Sequence, residues 1–151
     1  MPATTPVTVV RPYTPRIREK MFGTLSEAGL SIDPDHVIPP GTPDDEVVRQ
    51  VGNRIGHVLL VPFHAHRDSE GKELNGLDVA ALIHERCPAL NRSRILMPVS
   101  KFGMAAATLR LEKTPGEGGL PPELRDRILL IQEDDLGDPG LQGRIRQHIS
   151  A

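Results

Sequence analysis

The stretch Val58-Leu59-Leu60-Val61 is the most continuous apolar run in the first half of the chain. An unbroken apolar run of this length is typical of a strand that is buried on both faces of a parallel sheet. The run ends at Pro62-Phe63-His64. We therefore predict a central strand of a parallel sheet at residues 58–61.

Four further strands are predicted from the runs at residues 7–10, 36–38, 95–97 and 128–131. Each strand is followed by apolar residues at helical spacing, and these segments cover about residues 14–28, 42–56, 76–87, 102–111 and 141–149. Such alternation predicts an α/β fold, doubly wound around a five-stranded parallel sheet with helices on both faces, because crossovers are right-handed. We expect one domain over residues 1–151, a polar loop at residues 65–75, and a flexible loop rich in glycine and proline at about residues 113–122.

The composition excludes several classes of function. The 18 Lys and Arg residues nearly balance the 20 Asp and Glu residues, and aromatic residues are scarce, so the chain is not expected to bind nucleic acid. The single cysteine, Cys87, excludes an internal disulfide and is interpreted as a core residue. The sequence has neither an apolar stretch long enough for a membrane span nor a recognisable signal peptide. We therefore expect a cytoplasmic protein that does not bind membranes.

Several segments together resemble the receiver domains of bacterial response regulators. Residues 9–19 (VVRPYTPRIRE) are similar to the receiver start, where two apolar residues precede an acidic cluster, a proline and an Ile-Arg-Glu helix. Residues 58–61 resemble the strand that ends in the phospho-acceptor aspartate. Residues 75–78 (NGLD) and 95–100 (ILMPVS) resemble the receiver's Asp-Gly-Leu helix start and its strand with a terminal Ser or Thr. The resemblance implies a flavodoxin-like sheet with strand order 2-1-3-4-5 and a role in two-component signalling.

The positions that carry phosphorylation chemistry in receivers hold other residues here. Arg11-Pro12 replaces the acidic pair that binds Mg²⁺ after the first strand, and Val61 stands in place of the phospho-acceptor aspartate. Gln132, followed by three acidic residues, replaces the lysine expected after the fifth strand. Receiver-like chemistry is retained by Ser100, or by Lys101 beside it. The resemblance therefore implies a pseudo-receiver that is not phosphorylated on aspartate, is not an enzyme and needs no cofactor.

The pattern His64-x-His66-x-Asp68 supports a competing hypothesis. It is also the opening of a metallo-hydrolase motif, in which two imidazoles bind zinc and the carboxylate reaches a second metal. Ser69 stands where that family has a further histidine, which weakens the hypothesis. In the alternative interpretation, which we favour, one histidine is packed and the other solvated at the exit of a strand.

A domain without phosphorylation chemistry is expected to act through protein binding. We predict a regulatory adaptor whose partner is a signalling protein or a second copy of the chain. The alternatives are a metal-dependent hydrolase and a small-molecule sensor at the carboxyl edge of the sheet, between the first and third strands. The predicted partner surface lies around the fourth helix, the fifth strand and the last helix, and its candidate residues are Phe102, Met104, Leu109, Arg144 and Arg146.

Overall fold

The computed structural model describes residues 5–10, 15–39, 41–54, 56–63, 66–67, 73–88, 93–117, 119–136 and 138–150. In chain order, the strands and helices are β1 (Thr5–Val10), α1 (Pro15–Glu27), β2 (Leu30–Ile38), α2 (Asp44–Gly52), β3 (Val58–Leu60), β4 (His66–Arg67), β5 (Glu73–Leu74), α3 (Gly76–Arg86), β6 (Ile95–Val99), α4 (Met104–Glu112), α5 (Pro122–Arg125), β7 (Ile128–Gln132) and α6 (Pro139–Ser150). Short 3-10 helices lie at Pro115–Glu117 and Glu133–Asp135.

Five strands form one parallel sheet in the order β2-β1-β3-β6-β7. Counted among the five sheet strands alone, this is the predicted order 2-1-3-4-5, and the prediction of a doubly wound, flavodoxin-like α/β fold is confirmed. The central strand β3 also pairs beyond its last assigned residue. The N–H groups of Val61 and Phe63 donate to the carbonyls of Leu96 and Pro98 at 2.9 and 3.0 Å.

The two faces of the sheet build two separate hydrophobic cores. Successive residues of a strand point to opposite faces, so Val9 packs with α1 and α6, whereas Val10 packs with α2 and α3. On the first face Leu25 and Ile145 are fully buried, and on the second face Ile83 is. Burial of each such side chain contributes about 1.5–3 kcal/mol. The apolar runs that predict the strands are therefore the residues that hold both helical layers on the sheet.

The prediction for the second strand was wrong about its length, because β2 begins at Leu30 and not at His36. Its pairing with β1 is interrupted: Val7 is opposite Ile32, and Val9 is already opposite Val37. The residues of β2 between these pairs therefore have no regular partners on β1. They include a proline and polar residues, which hid the strand in the sequence. The position of β2 at the edge of the sheet explains why they are tolerated, since an edge strand is paired along one side only.

The prediction of a plain polar loop at residues 65–75 was also wrong. Two short antiparallel strands, β4 and β5, lie within it, with His66 opposite Leu74 and Arg67 opposite Glu73. Strands of two residues are too short to produce a pattern in the sequence.

Other element boundaries differ from the predictions by a few residues at the ends. Strand β6 extends through Val99, and α4 runs from Met104 to Glu112. Within residues 113–122, the Thr114 carbonyl accepts hydrogen bonds from the N–H groups of Glu117 and Gly119, each at 2.9 Å. The flexibility expected of this segment stays a prediction.

We expect Gly76→Ala to lower the free energy of unfolding by roughly 1–3 kcal/mol, because the new methyl group overpacks the end of β3. A Cβ atom at Gly76 would lie 2.4 Å from the Pro62 carbonyl oxygen and 2.9 Å from Phe63 Cα. Both neighbours are backbone atoms, so neither can swing away. Urea unfolding measures the change.

The matched control is Gly23→Ala, since Gly23 lies inside α1 and an added Cβ would meet no atom within 4 Å. That substitution is expected to raise the free energy of unfolding by about 0.5–1 kcal/mol through the helix preference of alanine. Equal effects of the two substitutions would contradict the close contact between α3 and β3.

Candidate functional site

The candidate pocket lies at the carboxyl edge of the sheet, where the parallel strands β1, β3, β6 and β7 all end. Of the residues predicted there, Arg11 and Pro12 lie outside the described residues. Val61, Ser100 and Gln132 lie at the ends of β3, β6 and β7, and Lys101 is exposed beside Ser100. The structure therefore places these four residues at the carboxyl edge of the sheet.

Val61 belongs to the hydrophobic core. Its side chain is fully buried in the same cluster as Val10 and Val99, and its N–H is used by the sheet ladder. An alkyl group cannot accept a phosphoryl group. At this position the end of β3 is thus packed with apolar side chains that have no nucleophilic atom.

The start of α3 closes the edge beside β3. The Gly76 N–H donates to the Phe63 carbonyl at 2.8 Å. Asn75 and Asp78 form a capping box: the Asn75 side chain accepts from the Asp78 N–H at 3.0 Å, and the Asp78 carboxylate accepts from the Asn75 N–H at 3.1 Å. This box satisfies donors that the first turn of a helix otherwise leaves free.

Arg110 of α4 completes this network, which connects α4 to α3. One guanidinium nitrogen lies 2.5 Å from the Asp78 carboxylate and donates to Asn75 Oδ1 at 3.2 Å. The sequence reasoning missed Arg110, because its partners are far away in the chain. The Asn-x-x-Asp spacing of the capping box was the signal that was present. The Asp78 carboxylate is thus already paired with a cation of the protein itself.

Ser100 shapes the turn into α4. Its hydroxyl oxygen accepts from the Gly103 N–H at 3.1 Å, and its carbonyl accepts from the Met104 N–H at 3.1 Å. These bonds resemble the local side-chain bonds that start helices. Ser100 therefore stabilises the start of α4, in addition to occupying a receiver-like position.

The end of β7 carries negative charge. The Gln132 side chain donates to the Asp134 carboxylate at 3.4 Å. Burial raises the pKa of Glu133, and the neighbouring Asp134 raises it further. One carboxyl oxygen of Glu133 is shielded from solvent and has no hydrogen-bond partner within the described part of the chain. This acidic turn would repel a phosphoryl group, whereas the lysine of a receiver attracts it.

Of the three residues in the His64-x-His66-x-Asp68 pattern, the structure describes His66. His64 and Asp68 lie outside the described residues, and His66 lies in β4. In the ranges that the structure covers, no group of three or more His, Cys, Asp and Glu residues is placed to hold a metal ion. The metal site thus stays a hypothesis. Nor is any helix in those ranges long and apolar enough to cross a membrane.

The predicted partner surface is most distinct on α4. Phe102, directly before the helix, is 93 % exposed, and Leu109 is 57 % exposed. Ala105 and Ala106 between them are also exposed. We call these four residues the α4 stripe: Ala105 and Ala106 are four and three positions before Leu109 on the same side of α4, and Phe102 directly precedes the helix. Met104, which was predicted to belong to this surface, is half-buried and packs against the core.

The two arginines predicted for the same surface lie on α6 and contact other elements. Arg144 is 3.8 Å from the Asp135 carboxylate, and Arg146 donates to the Glu27 carbonyl at the end of α1 at 3.4 Å. Both are exposed. Of the five predicted residues, Phe102 and Leu109 thus belong to the α4 stripe, whereas Arg144 and Arg146 contact other elements.

Comparison with solved structures identifies the fold. The crystal structure of a response regulator receiver protein from Sinorhizobium medicae covers 97 % of this chain and 92 % of its own, with a TM-score of 0.51 and 11 % identity. The REC domain of AraT, a response regulator from Geobacillus stearothermophilus, covers 97 % of this chain and 96 % of its own, with a TM-score of 0.57 and 12 % identity. No family model and no curated protein matches the sequence. At such identities the comparison establishes a receiver-like fold over nearly the whole chain.

We expect Val61→Asp to lower the free energy of unfolding at pH 7 by about 3–5 kcal/mol, the cost of an uncompensated buried charge. The isosteric Val61→Asn is the control, because it cannot ionise. Burial raises the pKa of the new carboxyl in the folded state, so the difference between the two variants should shrink as the pH falls toward about 4. Urea unfolding at several pH values measures it. Equal stability of the two variants at pH 7 would mean that this edge is open to water.

Proposed function

We propose that this receiver-fold chain is a regulatory adaptor that binds a partner protein through the α4 stripe, independently of phosphorylation. The observation that carries the proposal is the exposure of Phe102, directly before α4, and of Leu109 on α4, while Ala107 on the same helix is fully buried. Both compared structures belong to response regulators, which supports a role in signalling.

The chemistry of the sheet edge supports independence from phosphorylation. Val61 offers no nucleophile, and the exposed Asp134 offers negative charge where an incoming phosphoryl group needs cations. Arg11 and Pro12 stand in the sequence where carboxylates would bind Mg²⁺. Phosphorylation at this edge would thus lack both the nucleophile and the carboxylates that bind Mg²⁺.

The shape of the α4 stripe fits a helical partner. Its ends carry the two large side chains, Phe102 and Leu109, which are seven positions apart in the chain. The small residues Ala105 and Ala106 between them let another backbone approach closely. Exposed apolar patches on proteins mark binding surfaces, and we assign that role to the stripe.

The rest of α4 is held firmly, so the stripe is in place before a partner arrives. Ala107 is fully buried on the opposite face, and Arg110 is bound to Asp78. A surface that is ordered in advance loses little conformational entropy on binding.

The charges at the two ends of the stripe define the partner's chemistry. Lys101 and Lys113 are both exposed there. A partner helix with an apolar centre and acidic ends therefore complements the stripe better than a second copy of the chain, which would bring the same lysines. We propose such an acidic amphipathic helix of another protein as the occupant.

The test is the combined change Phe102→Ser and Leu109→Ser. A partner captured by the wild-type chain would be identified, purified and titrated by calorimetry against both forms. The double variant is expected to weaken binding at least tenfold, because exposed aromatic and aliphatic anchors dominate interface energies. Addition of Mg²⁺ with acetyl phosphate should leave the affinity of the wild type unchanged.

The matched control is Arg49→Ala, an exposed position on α2 that should bind like the wild type. Unchanged affinity in the double variant would rule out the α4 stripe as the binding site. Affinity that requires acetyl phosphate would rule out independence from phosphorylation. A dimer of the chain that dissociates on the double substitution would mean that a second copy, and not a partner helix, covers the stripe.

A further inference from the structure

Two histidines meet at the interruption of the β1–β2 ladder. His36 is the last residue of β2 before regular pairing resumes at Val37. His57 lies directly before β3. Their ring centroids are 4.7 Å apart with an angle of 68° between the planes, an edge-to-face contact. This contact joins β2, an edge strand, to the segment that leads into the central strand.

The polar surroundings of the two rings differ. His57 Nδ1 is hydrogen-bonded to Oγ1 of Thr8, a fully buried residue of β1, at 2.9 Å. Within the described residues, His36 Nδ1 is shielded from solvent without a hydrogen-bond partner. Burial of His57 and the neighbouring His36 ring both disfavour a proton on His57.

The guanidinium of Arg54 places a positive charge beside the two rings. Arg54 donates to the carbonyl of Asp35, the residue before His36, at 3.2 Å. Asp35 itself is exposed, and Thr8 from β1 is neutral. Among the described residues of β1, β2 and the segment before β3, the polar groups around the rings are thus the Arg54 guanidinium, the exposed Asp35 carboxylate and the Thr8 hydroxyl.

We propose that His36 and His57 form a proton-sensitive contact that holds the second half of β2 on β1 while both rings are neutral and releases it when they are protonated. Two imidazolium ions at this separation repel each other, and Arg54 adds to the repulsion. Release would uncover Ile38 and the neighbouring Val10, both buried at the carboxyl end of the sheet. This inference does not depend on the α4 stripe.

The pH range follows from the direction of the shift. Burial lowers the pKa of His57, and His36 and Arg54 lower it further. The folded chain therefore binds fewer protons here than the unfolded chain, whose histidine pKa is about 6.5. Stability from this contact is complete above that pH, is lost as the pH falls below it, and stops changing once the pH is below the folded-state pKa.

The test is amide hydrogen exchange between pH 7.5 and 5.5, corrected for the intrinsic pH dependence of exchange. In the wild type, the protection of Val37 and Ile38 should fall about tenfold more than that of the β6 amides, because only the β2 amides depend on the histidine contact. His36→Phe keeps an aromatic ring at the contact but cannot take a proton. It should remove most of that difference.

The matched control is His148→Gln. His148 also has a pKa lowered mainly by burial, but it lies on α6 and donates to the Arg127 carbonyl at 2.8 Å. This variant should keep the acid loss at β2. Equal changes at β2 and β6 in the wild type, or an unaltered β2 response in His36→Phe, would overturn the proposal.

If His36→Phe does not fold, NMR titration of the wild-type imidazoles decides the question. A pKa of His57 below the ordinary value, with β2 amide shifts that follow the same titration, would support the proposal. An ordinary pKa, or β2 shifts that do not follow the titration, would contradict it.

Discussion

The close contact between the start of α3 and the end of β3 is the constraint on which the rest of the sheet edge depends. Gly76 donates to the Phe63 carbonyl, and its Cα is so near the Pro62 carbonyl that a side chain there would collide with the backbone. Val61, just before this contact, is consequently sealed in the core. The start of α3 is thus in close contact with the backbone that follows the central strand.

The polar groups near this contact are satisfied by one another. Asn75 and Asp78 cap α3, and Arg110 binds both of them from α4. The same bonds that fill the edge therefore fix the position of α4, since partly buried, charge-assisted bonds between two helices resist their relative motion. The two helices are thus tied together by side chains of the chain itself.

The sequence predicts the parts of this arrangement that follow from local pattern. The apolar runs identify all five strands of the sheet, since a strand buried on both faces contains few residues that could obscure it. The edge strand β2 was recognised only in its second half, because its pairing is irregular and its proline reads as a break. The two histidines and Arg110 were missed for a different reason. Their contacts join residues that are 21 to 35 positions apart in the chain, and a local pattern contains no information about such pairs.

The exposed side chains of the α4 stripe contribute little to the free energy of folding. A phenylalanine that is 93 % exposed gains almost none of the roughly 1.5–3 kcal/mol that full burial of such a side chain provides. Ala107, on the opposite face of the same helix, shows that α4 packs well where it meets the core. The exposed face is thus not the result of a poorly packed helix. The free energy of burying Phe102 and Leu109 stays available for association, and it is confined to one face of a helix whose position the sheet edge has already fixed.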